Sequence, residues 1–200
     1  MPKELVQVTL IQIDNYGPWT LDLGPEREAY LQILQSELYV DLQRLFSAKH
    51  GLVFYSRFDN MLAITNGVSL NDHKEIQEKI CNRYPVTVSF GVGLSATALD
   101  AQREATRILQ QHGSSQSQER RKILAAQYPE LIKEPGFVQI AHIDVNDTTS
   151  GLTDTVSAYD ALLTMLNVQR TLADEFRKRN GLVFFNGGDN FVAISNGLTK

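Results

Sequence analysis

A stretch of 17 residues occurs twice in this chain. Residues 51–67, GLVFYSRFDNMLAITNG, return as residues 181–197, GLVFFNGGDNFVAISNG, with ten identities at an offset of 130. A duplicated unit constrains a fold more than any local pattern, because both copies must build the same order of elements. The same offset carries VTLIQID (8–14) onto VQIAHID (138–144), and lays the helical stretch ending at His50 over the one ending at Asn180.

The elements of copy one follow from periodicity. Residues 5–14 are β-rich and apolar enough to be a central strand buried on both faces. NYGPWTLDLGP reads as a turn-rich loop. Leu31, Leu34, Leu38, Leu42, Leu45 and Phe46 fall at helical spacing within residues 26–49. Residues 52–56 and 61–65 form a hairpin whose turn centres on Arg57, Phe58, Asp59 and Asn60. A second helix spans 71–82. Residues 86–94 alternate, with Val86, Val88, Phe90, Val92 and Leu94 on one face and Thr87, Ser89, Gly91 and Gly93 on the other. A third helix over 98–111 ends at Gly113, a residue type suited to the left-handed cap. The order β-α-β-β-α-β plus a helix is the ferredoxin-like, split-βαβ plan of an α/β (α+β) domain.

Copy two supplies a strand (137–144), a helix (155–179) and a hairpin (182–195), with no counterpart of the second helix, last strand or third helix. The predicted organisation is therefore a first split-βαβ unit at 1–113, a connector at 114–136 with a short helix before Pro129, and an incomplete second unit at 137–200. Either the natural chain runs on past Lys200 or another chain completes it.

Composition narrows the chemistry. A net charge of −4 leaves no broad basic field for nucleic acid, so a bound polyanion is better neutralised by a metal ion. No apolar run approaches a membrane span, no secretory segment opens the chain, and the single cysteine, Cys81, forms no internal disulfide. The expected location is the cytoplasm. One cysteine and scattered His50, His73, His112 and His142 provide no zinc spacing.

In the split-βαβ plan the first strand ends beside the start of the third. Asp14 is thereby expected near Asp59, and Asp144 near Asp189. Apposed carboxylates repel unless a cation lies between them, and an oxygen-only pair suits Mg²⁺ with phosphate. The alternative is that these aspartates are turn formers. Gly187 and Gly188 allow the hairpin backbone to approach a ligand, or form an ordinary tight turn. Arg57 is either a phosphate partner or a solvated turn residue. His142, two residues before Asp144, is a candidate base or a plain strand histidine. Tyr16 and Trp19 stack on a base or close over the core.

GGDNF (187–191) resembles the GGDEF hairpin of diguanylate cyclases, and the whole plan resembles the palm of nucleotidyl cyclases and polymerases. IQIDNYGPW, GLVFYSRFDN, NRYPVTVS, VQIAHID, LTDTVSAYD and GGDNF, taken in order, resemble the GTP cyclohydrolase III family more closely. That resemblance implies opening of the guanine imidazole ring of GTP to a formylamino-pyrimidine ribonucleotide monophosphate with release of two phosphates. It also implies Mg²⁺ dependence, stimulation by K⁺, absence of zinc and homo-oligomers. Asp14, Asp59, Asp144 and Asp189 match the palm metal positions, and Asn15, Asn60 and Asn190 match partners of metal-bound water or guanine. His142 and Asp160 are candidate general bases. Which copy holds GTP stays open, with a site built from both expected. A nucleotidyl cyclase and a non-catalytic GTP-binding module are the alternatives. The small face of residues 86–94 is expected to meet copy two or another subunit as a wall of the nucleotide cleft.

Overall fold

The computed structural model describes residues 5–57, 59–132, 137–146 and 148–196; Phe58, in the first predicted turn, and 133–136, at the end of the predicted connector, lie outside them. Two compact units are formed, one of Met1–Ala96 with Asp100–Phe137, the other of Thr97–Leu99 with Val138–Lys200.

Unit one runs β1 (Val6–Ile13), α1 (Tyr16–Leu21), α2 (Arg27–Ser47), β2 (Leu52–Arg57), β3 (Asn60–Ile64), α3 (Leu70–Arg83), β4 (Val88–Ser95), α4 (Ala98–Gln110) and β5 (Leu124–Ala126). The strand order is β2-β3-β1-β4-β5. β1 is antiparallel to both β3 and β4, which explains why seven of its eight residues are buried. Ile11, Ile13, Val53, Met61, Ala63, Val88 and Phe90 pack with Leu34, Leu38, Leu42 and Phe46 of α2 and Ile76 and Ile80 of α3 into the main core. The split-βαβ plan is present.

Three local expectations change. The turn-rich loop after β1 contains the short helix α1. The segment read as a connector carries β5, parallel to β4, and a 3₁₀ turn at Pro129–Leu131 in place of a helix before Pro129. The small face of β4 does not form a cleft wall; unit one covers it with its own helix. A Cβ on Gly91 would lie 2.3 Å from the Ala105 carbonyl, and one on Gly93 2.2 Å from that of Ala101. The glycines let α4 lie directly on the sheet, with Ala101 and Ala105 fully buried.

On β1, a buried chain of hydrogen bonds runs through polar side chains. Gln7 Nε2 donates to Thr65 Oγ1 (3.1 Å), Thr65 and Thr9 hydroxyls bond at 2.8 Å, and Thr9 Oγ1 lies 2.8 Å from His73 Nε2. His73 Nδ1 lies 2.8 Å from the Ser69 carbonyl, which only accepts, so Nδ1 carries the proton and Nε2 accepts from Thr9.

Unit two runs β6 (Ile140–Asp144), a π-helical turn (Thr149–Thr153), α5 (Ala158–Lys178), β7 (Leu182–Gly187) and β8 (Asn190–Ile194), with strand order β6-β8-β7. Its hairpin repeats that of unit one at the offset of 130. Both have the same bulge, between Tyr55 and Arg57 and between Phe185 and Gly187. Both helices end the same way: Gly51 N and Gly181 N each donate to a phenylalanine carbonyl (Phe46, Phe176) at 2.8 Å, after the left-handed His50 and Asn180. Among the described residues β6 pairs with one strand only, and α5 leaves Leu162 and Leu166 about half exposed.

The central strand departs from the ungapped offset. In unit one Gln12 stands opposite Asn60 and Val8 opposite Ile64. In unit two Asp144 stands opposite Asn190 and Ile140 opposite Ile194. The hairpins correspond at 130, so β6 corresponds to β1 at 132. A two-residue step keeps every side chain on its face, which is why the apolar pattern tolerates it. Asp144 therefore takes the place of Gln12, and Asn146 that of Asp14.

Gly91→Ala is expected to destabilise unit one by about 1–3 kcal/mol in urea unfolding, since backbone rather than a flexible side chain occupies the space. Burial lowers the pKa of His73 from 6.5 to about 4, outweighing its bond to Ser69. The unfolded chain then binds a proton that the native state refuses, so stability is full above pH 6.5 and falls as pH drops towards 4, by on the order of 3 kcal/mol. Unfolding curves across that window, with His73→Gln as the non-titrating control, read this directly.

Candidate functional site

At the exit of β1, Asp14 is 3% exposed and is held by protein donors. Ser89 Oγ donates to Oδ1 at 2.6 Å; Thr87 Oγ1 and the Lys122 backbone N–H donate to Oδ2 at 2.8 and 3.0 Å. Lys122 adopts φ 54 to present that N–H, and a backbone bond from Asn15 N to Ser115 O and a bond from Ile123 N to the Ser89 side-chain Oγ strap the segment down. Arg120, 4% exposed, is a countercharge: burial pulls its pKa down and Asp14 pushes it up. Asn15 lies beside this cluster, in the left-handed region, with its Oδ1 buried and without a partner.

Asp59 lies beside the end of β1, its carbonyl accepting from Ile13 N at 3.0 Å, while its carboxylate and that of Asp14 have separate partners. Its carboxylate is taken by Arg57, whose Nε and Nη2 donate at 3.0 and 2.5 Å. Arg57 therefore neutralises its own hairpin. Asn60 accepts from Gln12 Nε2 at 2.8 Å. Tyr16, four residues after Gln12, takes a hydrogen bond from Gln35 Nε2, with Trp19 6.3 Å away ring to ring and both rings packed on the core. Tyr16 and Trp19 close over the core in this unit, and Asp59, Asn60 and Gln35 at this corner each have a side-chain partner within it.

In unit two the corresponding groups are arranged differently. Asp144, exposed at the end of β6, stands opposite Asn190, and Val145 N donates to the Asp189 carbonyl at 3.2 Å. Asp189 Oδ2 accepts from the Thr148 hydroxyl, and Oδ1 from Asn190 Nδ2 at 2.8 Å. A cavity of about 400 Å³ opens here, lined by Thr148, Leu152, Ala161, Met165, Phe185 and Asp189 among others. Gly188 also lines it. Gly187 and Gly188 have φ 101 and 63, and a Cβ on either would meet nothing within 4 Å, so the turn's backbone is open to a ligand.

Met165 and Phe185 correspond to Gln35 and Tyr55 of unit one. A cavity with one aromatic side chain (Phe185), aliphatic neighbours, threonine hydroxyls and a carboxylate in its wall suits a planar base joined to a charged group. Of the remaining candidates, His142 shares the face of Asp144 on β6, and Asp160 accepts from Ser157 Oγ at 2.6 Å in capping α5. Neither lines the cavity. The aspartates of unit one and unit two are thus not equivalent pairs, and Thr148, with no recognisable motif around it, is a cavity residue that sequence reasoning missed.

Among the described residues no three His, Cys, Asp or Glu side chains gather as a metal group, and no helix is long and apolar enough to cross a membrane. The Asp189 carboxylate on the cavity wall, with the exposed Asp144 on the neighbouring strand, is a hard oxygen donor of the kind Mg²⁺ takes, one or two carboxylates with phosphate and water completing its shell.

Among solved structures, the FimX GGDEF domain from Pseudomonas aeruginosa is similar at TM-score 0.48 and 13% identity, over 62% of this chain and 82% of that one. GTP cyclohydrolase III of Methanothermobacter thermautotrophicus is 55% identical over 97% of this chain and 77% of its own length, and that of Methanocaldococcus jannaschii 53% over 98% and 72%. The family model for GTP cyclohydrolase III matches residues 7–200. The chain belongs to the GTP cyclohydrolase III family.

Proposed function

We propose that the chain is a Mg²⁺-dependent GTP hydrolase whose nucleotide site lies in unit two. It opens the imidazole ring of guanine, keeps the formyl group on the product, and releases the two outer phosphates. Family membership supports action on GTP. The observation that carries the location is the cavity of about 400 Å³ beside Asp189, set against a unit one in which Arg57, Gln12 and Tyr16 occupy the corresponding groups.

In this reading Phe185, Met165 and Leu162 flank the guanine, and the open backbone of Gly187 and Gly188 lets the phosphates approach the turn. Asp144 and Asp189 hold the cation, with Asn190 fixing Asp189. When bound, Mg²⁺ supplies charge neutralisation of the triphosphate and a lowered pKa for water. His142, on the same face as Asp144, accepts a proton at that end; Asp160 is committed to capping α5. Asp14 is read as a buried structural carboxylate, not a metal ligand. K⁺ stimulation and self-association belong to the same proposal.

Incubation with GTP and Mg²⁺ followed by mass spectrometry is expected to yield a ring-opened monophosphate with formyl retained and two phosphates per GTP. A cyclic or dinucleotide product would mean a nucleotidyl cyclase, and bound but unchanged GTP a binding module. Removal of Mg²⁺ should abolish turnover, whereas a zinc-selective chelator should not.

Asp144→Asn and Asp189→Asn should each lower turnover by about 10²-fold or more, from the several kcal/mol a catalytic metal supplies. Calorimetry with a non-hydrolysable GTP analogue should give one site per chain. Met165→Trp, which fills the cavity, should weaken that binding, and Tyr16→Phe in unit one should not change it.

A further inference from the structure

Asp189 is restrained in an unusual way for a turn aspartate. Such residues commonly bond to backbone N–H groups two or so positions on. Here one carboxylate oxygen accepts from Thr148, 41 residues away in sequence, and the other from the side chain of Asn190. Thr148 lies on the segment that leaves β6, four residues after Asp144, and both it and Asp189 line the cavity. The bond therefore joins the two stretches of chain that carry the two aspartates.

Unit one shows what happens when different groups fill these places. Arg57 grips both oxygens of Asp59 and cancels its charge. Tyr16, in the place of Thr148, bonds Gln35 instead of the aspartate. A neutral hydroxyl differs from a guanidinium in a decisive respect. It fixes the carboxylate's rotamer while leaving its negative charge for a cation, and one lone pair on each oxygen stays available.

We propose that Thr148 is a positioning residue for Asp189, holding the carboxylate in its cation-ready rotamer before any ligand arrives. The effect is preorganisation: ordering that binding would otherwise have to impose is already present. The proposal rests on the reading of Asp144 and Asp189 as ligands of the cation.

The test is Mn²⁺ binding to the whole chain without nucleotide, followed by the loss of the free-ion electron paramagnetic resonance signal. Thr148→Val keeps shape and removes the hydroxyl; it should weaken Mn²⁺ binding about tenfold or more, the scale of a hydrogen bond to a charged group. Thr148→Ser should restore it to within about threefold, since the donor returns. In turnover, Thr148→Val should raise the Mg²⁺ concentration for half-maximal rate by a similar factor and leave kcat at saturating Mg²⁺ much less affected. Wild-type Mn²⁺ affinity in Thr148→Val, with binding lost in Asp189→Asn, would overturn the positioning role and leave the metal site standing. Unchanged binding in Asp189→Asn would overturn both.

Discussion

The pairing of each central strand with its hairpin sets the rest of this structure. In both units the hairpin has the same length, the same bulge and the same Asp-Asn corner. What differs is which residue of the neighbouring strand stands opposite that corner. A step of two residues is the smallest change that leaves the buried face intact, because a step of one would turn the whole apolar set outward. It is invisible to the core and consequential at the strand end. It puts Gln12 opposite Asn60, where two amides satisfy each other, and Asp144 opposite Asn190, where a carboxylate is left at the surface.

Asp14 shows how unit one stabilises a charge buried at the exit of its central strand. A buried carboxylate is costly unless it is fully hydrogen-bonded, and losing one partner of such a group costs several kcal/mol. Ser89 of β4, Thr87 just before it and the Lys122 N–H supply the bonds, and Arg120 the countercharge. The small face of residues 87–93 is thus used inside unit one: the Thr87 and Ser89 hydroxyls hold Asp14, and Gly91 and Gly93 admit α4. The segment 114–132 belongs to the architecture for this reason, since without it Asp14 would lose a donor and β4 a parallel neighbour.

Repeat, hairpins, central strands and long helices were legible in the sequence because each is written in a period that burial enforces, or in the identity of two copies. The two-residue step was not. VTLIQID and VQIAHID both end in Ile-Asp, and matching those letters favours the ungapped alignment, whereas backbone pairing obeys the face rule and the length of the following loop. The cover over Gly91 and Gly93 was missed for a related reason. Small residues signal that something comes close, and do not say whether it is a ligand, a partner or the chain's own helix. Tyr16 was recognised as a core or stacking residue, but its bond to Gln35 depends on the turn of α1, which the Pro18 and Gly17 of that segment disguise as loop. Thr148 carried no signal at all: a lone threonine after a strand becomes informative only when the hairpin aspartate is seen across from it.

The contrast between the units reflects a conflict between stability and binding that duplication can resolve. Groups that take a charged ligand must be left unsatisfied in its absence: carboxylates at a strand end, an open turn, an apolar cavity. Each lowers the stability of the unit that bears it. In unit one those same places are filled by Arg57 on Asp59, Gln12 on Asn60 and Tyr16 on Gln35, and its five-stranded sheet leaves β1 with a neighbour on both sides. In unit two β6 has one neighbour among the described residues, α5 exposes leucines, and Asp189 is steadied by neutral donors alone. A single unit cannot optimise both sets of contacts at one hairpin, because a cation that neutralises the aspartate and an arginine that does so compete for the same oxygens. Two copies remove the competition: one hairpin is stabilised by its own arginine, while the other keeps an aspartate held by neutral donors beside an open turn.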